Sequence, residues 1–219
     1  MLWDSLKILC FLCLFGITAH AEDSGSLMIY AVTINEMPGG NAWGAGIYLG
    51  NSKIITAAHV VGQTPYVTIS GRELAATIVK KGSFESTDLA LLGIDERRLP
   101  VSLRLRRLTL CQELPFPGEA VETVSPDGIA RSHIMSPQGL PPQVRKFDTI
   151  IGDVERTGNS GSGVFDLRKK CLLGIMSRKI SIVLKKSDAA KTETRDIAKY
   201  FVPASTISKF IAENGLKDQ

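Results

Sequence analysis

Histidine is scarce in this chain: three occur in 219 residues, and one of them, His20, lies in an apolar stretch at the amino terminus. Cysteine is nearly as rare. Of four, Cys10 and Cys13 fall in that same stretch, leaving Cys111 and Cys171. No His/Cys cluster has the ligand spacing of a zinc site, so neither a metal nor an organic cofactor is expected. Long polar tracts are missing and 44% of the residues are hydrophobic, which argues for a packed core and against disorder. Apolar runs of the roughly 20 residues needed to cross a bilayer are also missing, so no stable membrane insertion is expected. The 26 Lys and Arg residues give a net charge of +4, and many are scattered pairs such as Lys80-Lys81 and Arg106-Arg107. None forms an aromatic-interleaved basic face, which sets nucleic-acid binding aside.

The amino-terminal stretch reads as a secretory signal peptide, residues 1–21. Lys7 precedes an apolar run from Ile8 to Ile17, and Ala19-His20-Ala21 supplies the small residues of a cleavage site. Export to a periplasm or the extracellular space follows as an expectation. In such an oxidising compartment Cys111 and Cys171 could pair; two buried free thiols are the alternative.

The remainder is a succession of short apolar, β-branched runs separated by Gly, Pro, Asn and Ser clusters. Leu27–Ile34, Ala45–Leu49, Lys53–Thr56, Leu89–Ile94, Leu172–Met176 and Ile180–Leu184 are examples. Many short strands at close spacing predict an all-β sandwich or barrel, not an α/β sheet. One segment reads as a helix, opened by Pro203 and Ser205, striped by Ile207, Phe210 and Ile211, and closed by Gly215. A Pro-bearing connector between Arg97 and Pro117 divides the chain into two β-rich halves, residues 22–112 and 113–219.

The two histidines outside the leader, His59 and His133, limit the chemistry. A serine hydrolase needs a base near neutral pH, most often His. The glycine-flanked serine of Gly158-Asn159-Ser160-Gly161-Ser162-Gly163 has no His after it, which excludes the α/β-hydrolase order. A subtilisin order would need an Asp ahead of His59, where only Asp23 remains outside the leader. The order His, Asp, Ser is the one available. His59 ends Ile54-Ile55-Thr56-Ala57-Ala58-His59, a β-branched run followed by small residues that permit close approach. Asp88 begins Asp88-Leu89-Ala90-Leu91-Leu92, where a carboxylate beside an apolar strand is positioned to orient the imidazole. Glycines around Ser160 leave the N–H groups of Gly158 and Ser160 open to a developing oxyanion. Each motif alone is more often structural; their conjunction is the signal.

Together, Thr56-Ala57-Ala58-His59, Asp88-Leu89-Ala90-Leu91-Leu92 and Gly158-Asn159-Ser160-Gly161-Ser162-Gly163 resemble the three signatures of trypsin-like serine proteases. By pattern the chain is most similar to bacterial HtrA/Deg peptidase domains. Gly44-Ala45-Gly46-Ile47, Gly174-Ile175-Met176-Ser177 and Phe201-Val202-Pro203 fit that group as well. The resemblance implies a chymotrypsin-like fold: two six-stranded antiparallel Greek-key barrels, a C-terminal helix, and a triad of His59, Asp88 and Ser160 in the cleft between them. It implies protein or peptide substrates. No PDZ module is expected after the helix, so a monomer is favoured over a higher oligomer. Asn159 stands where digestive members carry Asp, which removes the ion pair of their zymogen activation.

Specificity is read from position. Val154, six residues before Ser160, would form the base of the S1 pocket and favour an aliphatic P1 residue, although a shifted loop would bring in Asp153. Ser177, Arg178 and Lys179 would line the substrate strand; Arg178 and Lys179 would favour acidic residues there or else face solvent. Residues 185–199 are a mobile flap or an inert surface insertion. A catalytically silent binding protein and a serine esterase on the same scaffold are the competing functions.

Overall fold

The computed structural model describes residues 24–152, 159–185 and 192–213. The expected signal peptide, Val154, Gly158 and Gly215 therefore lie outside the described residues.

The first half closes into a barrel. Its strands are β1 (Ala31–Asn35), β2 (Ala42–Gly50), β3 (Lys53–Thr56), β4 (Tyr66–Ile69), β5 (Arg72–Lys81) and β6 (Ala90–Ile94), in the order β1-β2-β3-β6-β5-β4. Antiparallel pairing of β4 with β1, from Val32–Ile69 to Asn35–Tyr66, completes the ring. In β4 the residues alternate between half-buried and buried, as expected of a strand with one face toward the core. β3 and β6 show no such alternation: Ile54, Ile55 and Thr56 of β3 and Ala90, Leu91, Leu92 and Ile94 of β6 are all buried, and their apolar members belong to a cluster shared with the second half of the molecule.

The second half forms a six-stranded antiparallel sheet of β7 (Ala120–Ser125), β8 (Gly128–His133), β9 (Ile150–Ile151), β10 (Gly163–Asp166), β11 (Leu172–Lys185) and β12 (Thr192–Pro203). Its order is β8-β7-β10-β11-β12-β9. Just past β8, Ile134 bridges Ile151 and the Met135 N–H donates to the Ile150 carbonyl at 2.8 Å, so this sheet also rolls up on itself. Strand number, antiparallel pairing and the terminal helix agree with the sequence expectation.

The details differ in four places. Leu27–Tyr30, expected in the first strand, belongs to a 3-10 segment, Ser24–Tyr30, that precedes β1. Ile180–Leu184 is not a separate strand but the continuation of β11, paired along its length with β12. Of the segment 185–199, expected as either a mobile flap or an inert surface insertion, Lys185 ends β11 and residues 192–199 belong to β12, while residues 186–191 lie outside the described set. Within the Arg97–Pro117 connector, Val101–Arg104 makes one helical turn, α1, entered through Pro100, whose missing N–H costs nothing there.

The largest apolar cluster joins both halves. Val32, Ile55 and Leu92 of the first barrel are continuous with Phe165, Ile175 and Val202 of the second, so the inter-barrel wall is a packed core and not a hinge. Helix α2 (Ala204–Ala212) buries Ala204, Ile207 and Phe210 on one stripe at i, i+3 and i+6. Lys80 of β5 ties it down, with Nζ 4.3 Å from the Phe210 ring centre and 2.9 Å from the Phe210 carbonyl oxygen. Cys111 and Cys171 are joined in a disulfide that closes a sequence separation of 60, at a Cα–Cα distance of 5.1 Å.

Candidate active site

His59 is placed by the end of β3. After Thr56 the chain turns through a 3-10 segment, Ala58–Val60, in which Ala58 and Val60 are buried and the imidazole is turned outward. Ala57 and Ala58, between the strand and the ring, are both fully enclosed. Asp88 lies just before β6, the neighbour of β3, and is 1% exposed.

The two side chains meet. His59 Nδ1 lies 2.8 Å from Asp88 Oδ2 and 3.1 Å from Oδ1, and the His59 backbone N–H donates to Oδ1 at 3.1 Å. An ionised carboxylate on that side requires Nδ1 to carry the proton, which leaves the Nε2 lone pair for the cleft. From the second barrel, Ser177 Oγ donates to Asp88 Oδ2 at 2.6 Å. Burial pushes the Asp88 carboxyl up, but hydrogen bonds from His59 and Ser177 outweigh it and hold the group below its ordinary value.

Ser160 comes from the other half of the chain, at the turn before β10. Two close approaches shape this turn. Gly161 has φ +89°, and a β-carbon there would lie 1.8 Å from the Ala45 carbonyl oxygen. The Ala45 N–H donates to the Ser160 carbonyl at 2.9 Å, while a β-carbon on neighbouring Gly44 would come within 2.8 Å of that same oxygen. Glycine at both positions lets β2 of the first barrel lie directly against the serine turn of the second. Asn159 and Ser160 share an open cleft of about 390 Å³ with His59, Val60, Trp43 and Gly44. Within it Ser160 Oγ donates to the Ser177 carbonyl at 3.2 Å, so it needs a rotation about its own Cα–Cβ bond to address His59. Such looseness is common before substrate is bound.

The remaining expected site residues are distributed as follows. Ser177, expected along the substrate strand, is buried and bonded to Asp88. Arg178 is turned toward Phe84, and Lys179 pairs with Asp196 at 2.9 Å. His133, the other histidine after residue 21, ends β8, pairs with Ala120 across that ladder and does not line the cleft. Phe84 went unnoticed in the sequence, because nothing around an exposed aromatic in a turn shows that its ring meets the imidazole. The centroids are 5.2 Å apart and the planes 78° to one another. No group of three or more His, Cys, Asp or Glu residues suited to a metal ion occurs among the described residues.

Two six-stranded antiparallel β units, one carrying an outward-facing His bonded to a buried Asp and the other a glycine-bounded serine, define a class of hydrolase architecture. The family model of the trypsin-like peptidase domain matches residues 44–175, more than half of the chain, and the chain belongs to that family. Solved structures agree on the fold. Kallikrein-related peptidase 10, in a complex with Zn²⁺, superposes with TM-score 0.62 at 16% identity, covering 85% of this chain and 94% of its own. The active form of the Rv3671c protease from M. tuberculosis gives 0.60 at 20% identity, with 87% and 83% covered. Neuropsin, a serine protease of mouse brain, gives 0.58 at 15%, with 85% and 94% covered. No curated protein sequence matches the chain.

Proposed function

We propose that this chain is an exported serine endopeptidase in which Ser160 is the nucleophile, His59 the general base and acid, and Asp88 the residue that orients His59. The observation that carries the reading is the His59–Asp88 contact at 2.8 Å opening onto a cleft shared with Ser160, in a member of the trypsin-like peptidase family. His59 Nε2 takes the Ser160 proton as Oγ attacks the peptide carbonyl, and Asp88 stabilises the imidazolium that results. The same proton then goes to the leaving amine, giving an acyl-enzyme that water resolves by the reverse relay. The backbone N–H groups of Gly158 and Ser160 are assigned to the oxyanion. A fluorophosphonate probe tests the assignment. Ser160 of the wild type should be labelled and casein cleaved, whereas Ser160→Ala should abolish both; an unlabelled wild type would end the proposal.

Two finer elements belong to the same reading. Val154 at the base of S1 favours aliphatic P1 residues, and a peptide-library profile dominated by Arg or Lys would reject that. Export to the periplasm or medium is checked by sequencing the amino terminus of the recovered protein, which should begin at Glu22.

A further inference from the structure

Arg178 has no task in the mechanism above, yet it touches both residues that hold the His59–Asp88 pair. Its guanidinium carbon lies 3.8 Å from the centre of the Phe84 ring, and Nη2 donates to the Phe84 carbonyl. The Phe84 ring in turn meets His59 edge-on. In the other direction Nε donates to Ser177 Oγ at 3.3 Å, and that hydroxyl donates to Asp88.

The geometry points to Arg178 as a positioning residue that braces His59 through Phe84 and Asp88 through Ser177. This rests on the serine-protease reading for its consequence in turnover, though not for the contacts themselves. The physical chemistry on the Ser177 side is a matter of counting. A hydroxyl has one proton to give and two lone pairs. An N–H aimed at its oxygen from Arg178 occupies a lone pair and leaves the O–H free to point at Asp88. On the Phe84 side the ring is 40% exposed in the turn between β5 and β6, where packing alone holds it weakly. A planar cation lying on one face and bonded to the same residue's carbonyl fixes both ring and backbone. The brace also crosses the cleft, since Phe84, His59 and Asp88 belong to the first half while Ser177 and Arg178 belong to β11 of the second. Lysine replaces it only in part, because an ammonium supplies charge over the ring but no rigid fork in two directions.

The test compares wild type, Arg178→Ala and Arg178→Lys as purified full-length mature protein. Near-UV circular dichroism and the thermal midpoint establish folding. NMR follows the His59 Nδ1 proton, and a peptide substrate gives kcat and KM. In Arg178→Ala the Nδ1 proton resonance should shift or broaden while kcat falls roughly 10- to 100-fold with KM little changed. Arg178→Lys should recover only part of the loss. If Arg178→Ala folds and leaves both resonance and kcat at wild-type values, the brace is wrong. If the alanine variant does not fold, the lysine variant decides, and full activity with lysine overturns the inference. The NMR arm needs no turnover. A wild type that hydrolyses nothing therefore defeats the protease reading while the brace is still judged on the resonance.

Discussion

Ser177 Oγ donates to Asp88 Oδ2 at 2.6 Å, a bond between side chains 89 positions apart and on different halves of the molecule. With it, a fully enclosed carboxylate receives hydrogen bonds from the His59 ring, the His59 backbone and a hydroxyl. Every donor around Asp88 is thus arranged for the ionised form.

Asp88→Asn keeps the volume but replaces an acceptor-only group with one that also donates. Its NH₂ cannot accept from Nδ1–H, so the imidazole would present the wrong tautomer to Ser160. We expect kcat to fall by about 10⁴-fold with KM nearly unchanged, measured on a peptide substrate with active sites counted by fluorophosphonate titration.

The same carboxylate makes a prediction for acid stability. Its folded-state pKa is depressed, so the unfolded chain binds the proton more readily. The stabilisation is fully present above the ordinary value of 3.8 and is lost as pH falls through the depressed one. Asp166 behaves alike: burial pushes it up, and the Lys169 and Arg168 backbone N–H groups hold it down. Urea unfolding between about pH 2 and 6 should therefore show Asp88→Asn losing less stability on acidification than wild type. Parallel limbs for the two proteins would refute the linkage.

How much of this was legible beforehand depends on whether a residue's role is local. His59 and Asp88 stood out as candidates because each adjoins a short buried apolar run, Ile54 and Ile55 ahead of the one and Leu89, Ala90, Leu91 and Leu92 after the other. Ser160 could be read because a turn that must lie against β2 tolerates only glycine at Gly161, and that need is written in the sequence. Ser177 was assigned to the substrate strand because the fact that decides its role is Asp88, far away in the chain. Arg178 and Phe84 fail for the same reason, being mutual partners 94 positions apart. The long β11–β12 hairpin was divided because the charged run from Lys185 to Lys199 shows weak alternation. In that part of the sheet polar cross-strand pairs such as Ser181 with Asp196 stand beside only a small buried apolar set that includes Ile180 and Ala198.

Cys111 and Cys171 anchor the connector between barrels to the start of β11, where Cys111 N–H also donates to the Leu172 carbonyl at 3.0 Å. Closing a loop of this length removes roughly 4 kcal/mol of unfolded-chain entropy in the loop-closure treatment. A Cys111→Ala, Cys171→Ala variant should unfold at markedly lower urea concentration than wild type. Its His59–Asp88 contact should be intact, because neither cysteine lines the cleft. Equal unfolding midpoints for the oxidised wild type and the double variant would contradict this role.

Lys199 on β12 is 5% exposed, and burial, with Lys179 directly across the ladder, brings its pKa down to about 8 from 10.5. Asp196 acts in the opposite direction without cancelling the effect. Because the folded value is the lower one, the unfolded chain binds more protons between about pH 8 and 10.5. Stability from this group must therefore rise with pH across that window, by an amount on the order of 3 kcal/mol if the whole shift is expressed. Replacing Lys199 with Met keeps the length of the stem and removes the charge. The variant should be more stable than wild type near pH 7, and its advantage should shrink toward pH 10.5. Chemical unfolding at closely spaced pH values measures this directly, and an advantage that does not change over the window would show that the ammonium is not the source.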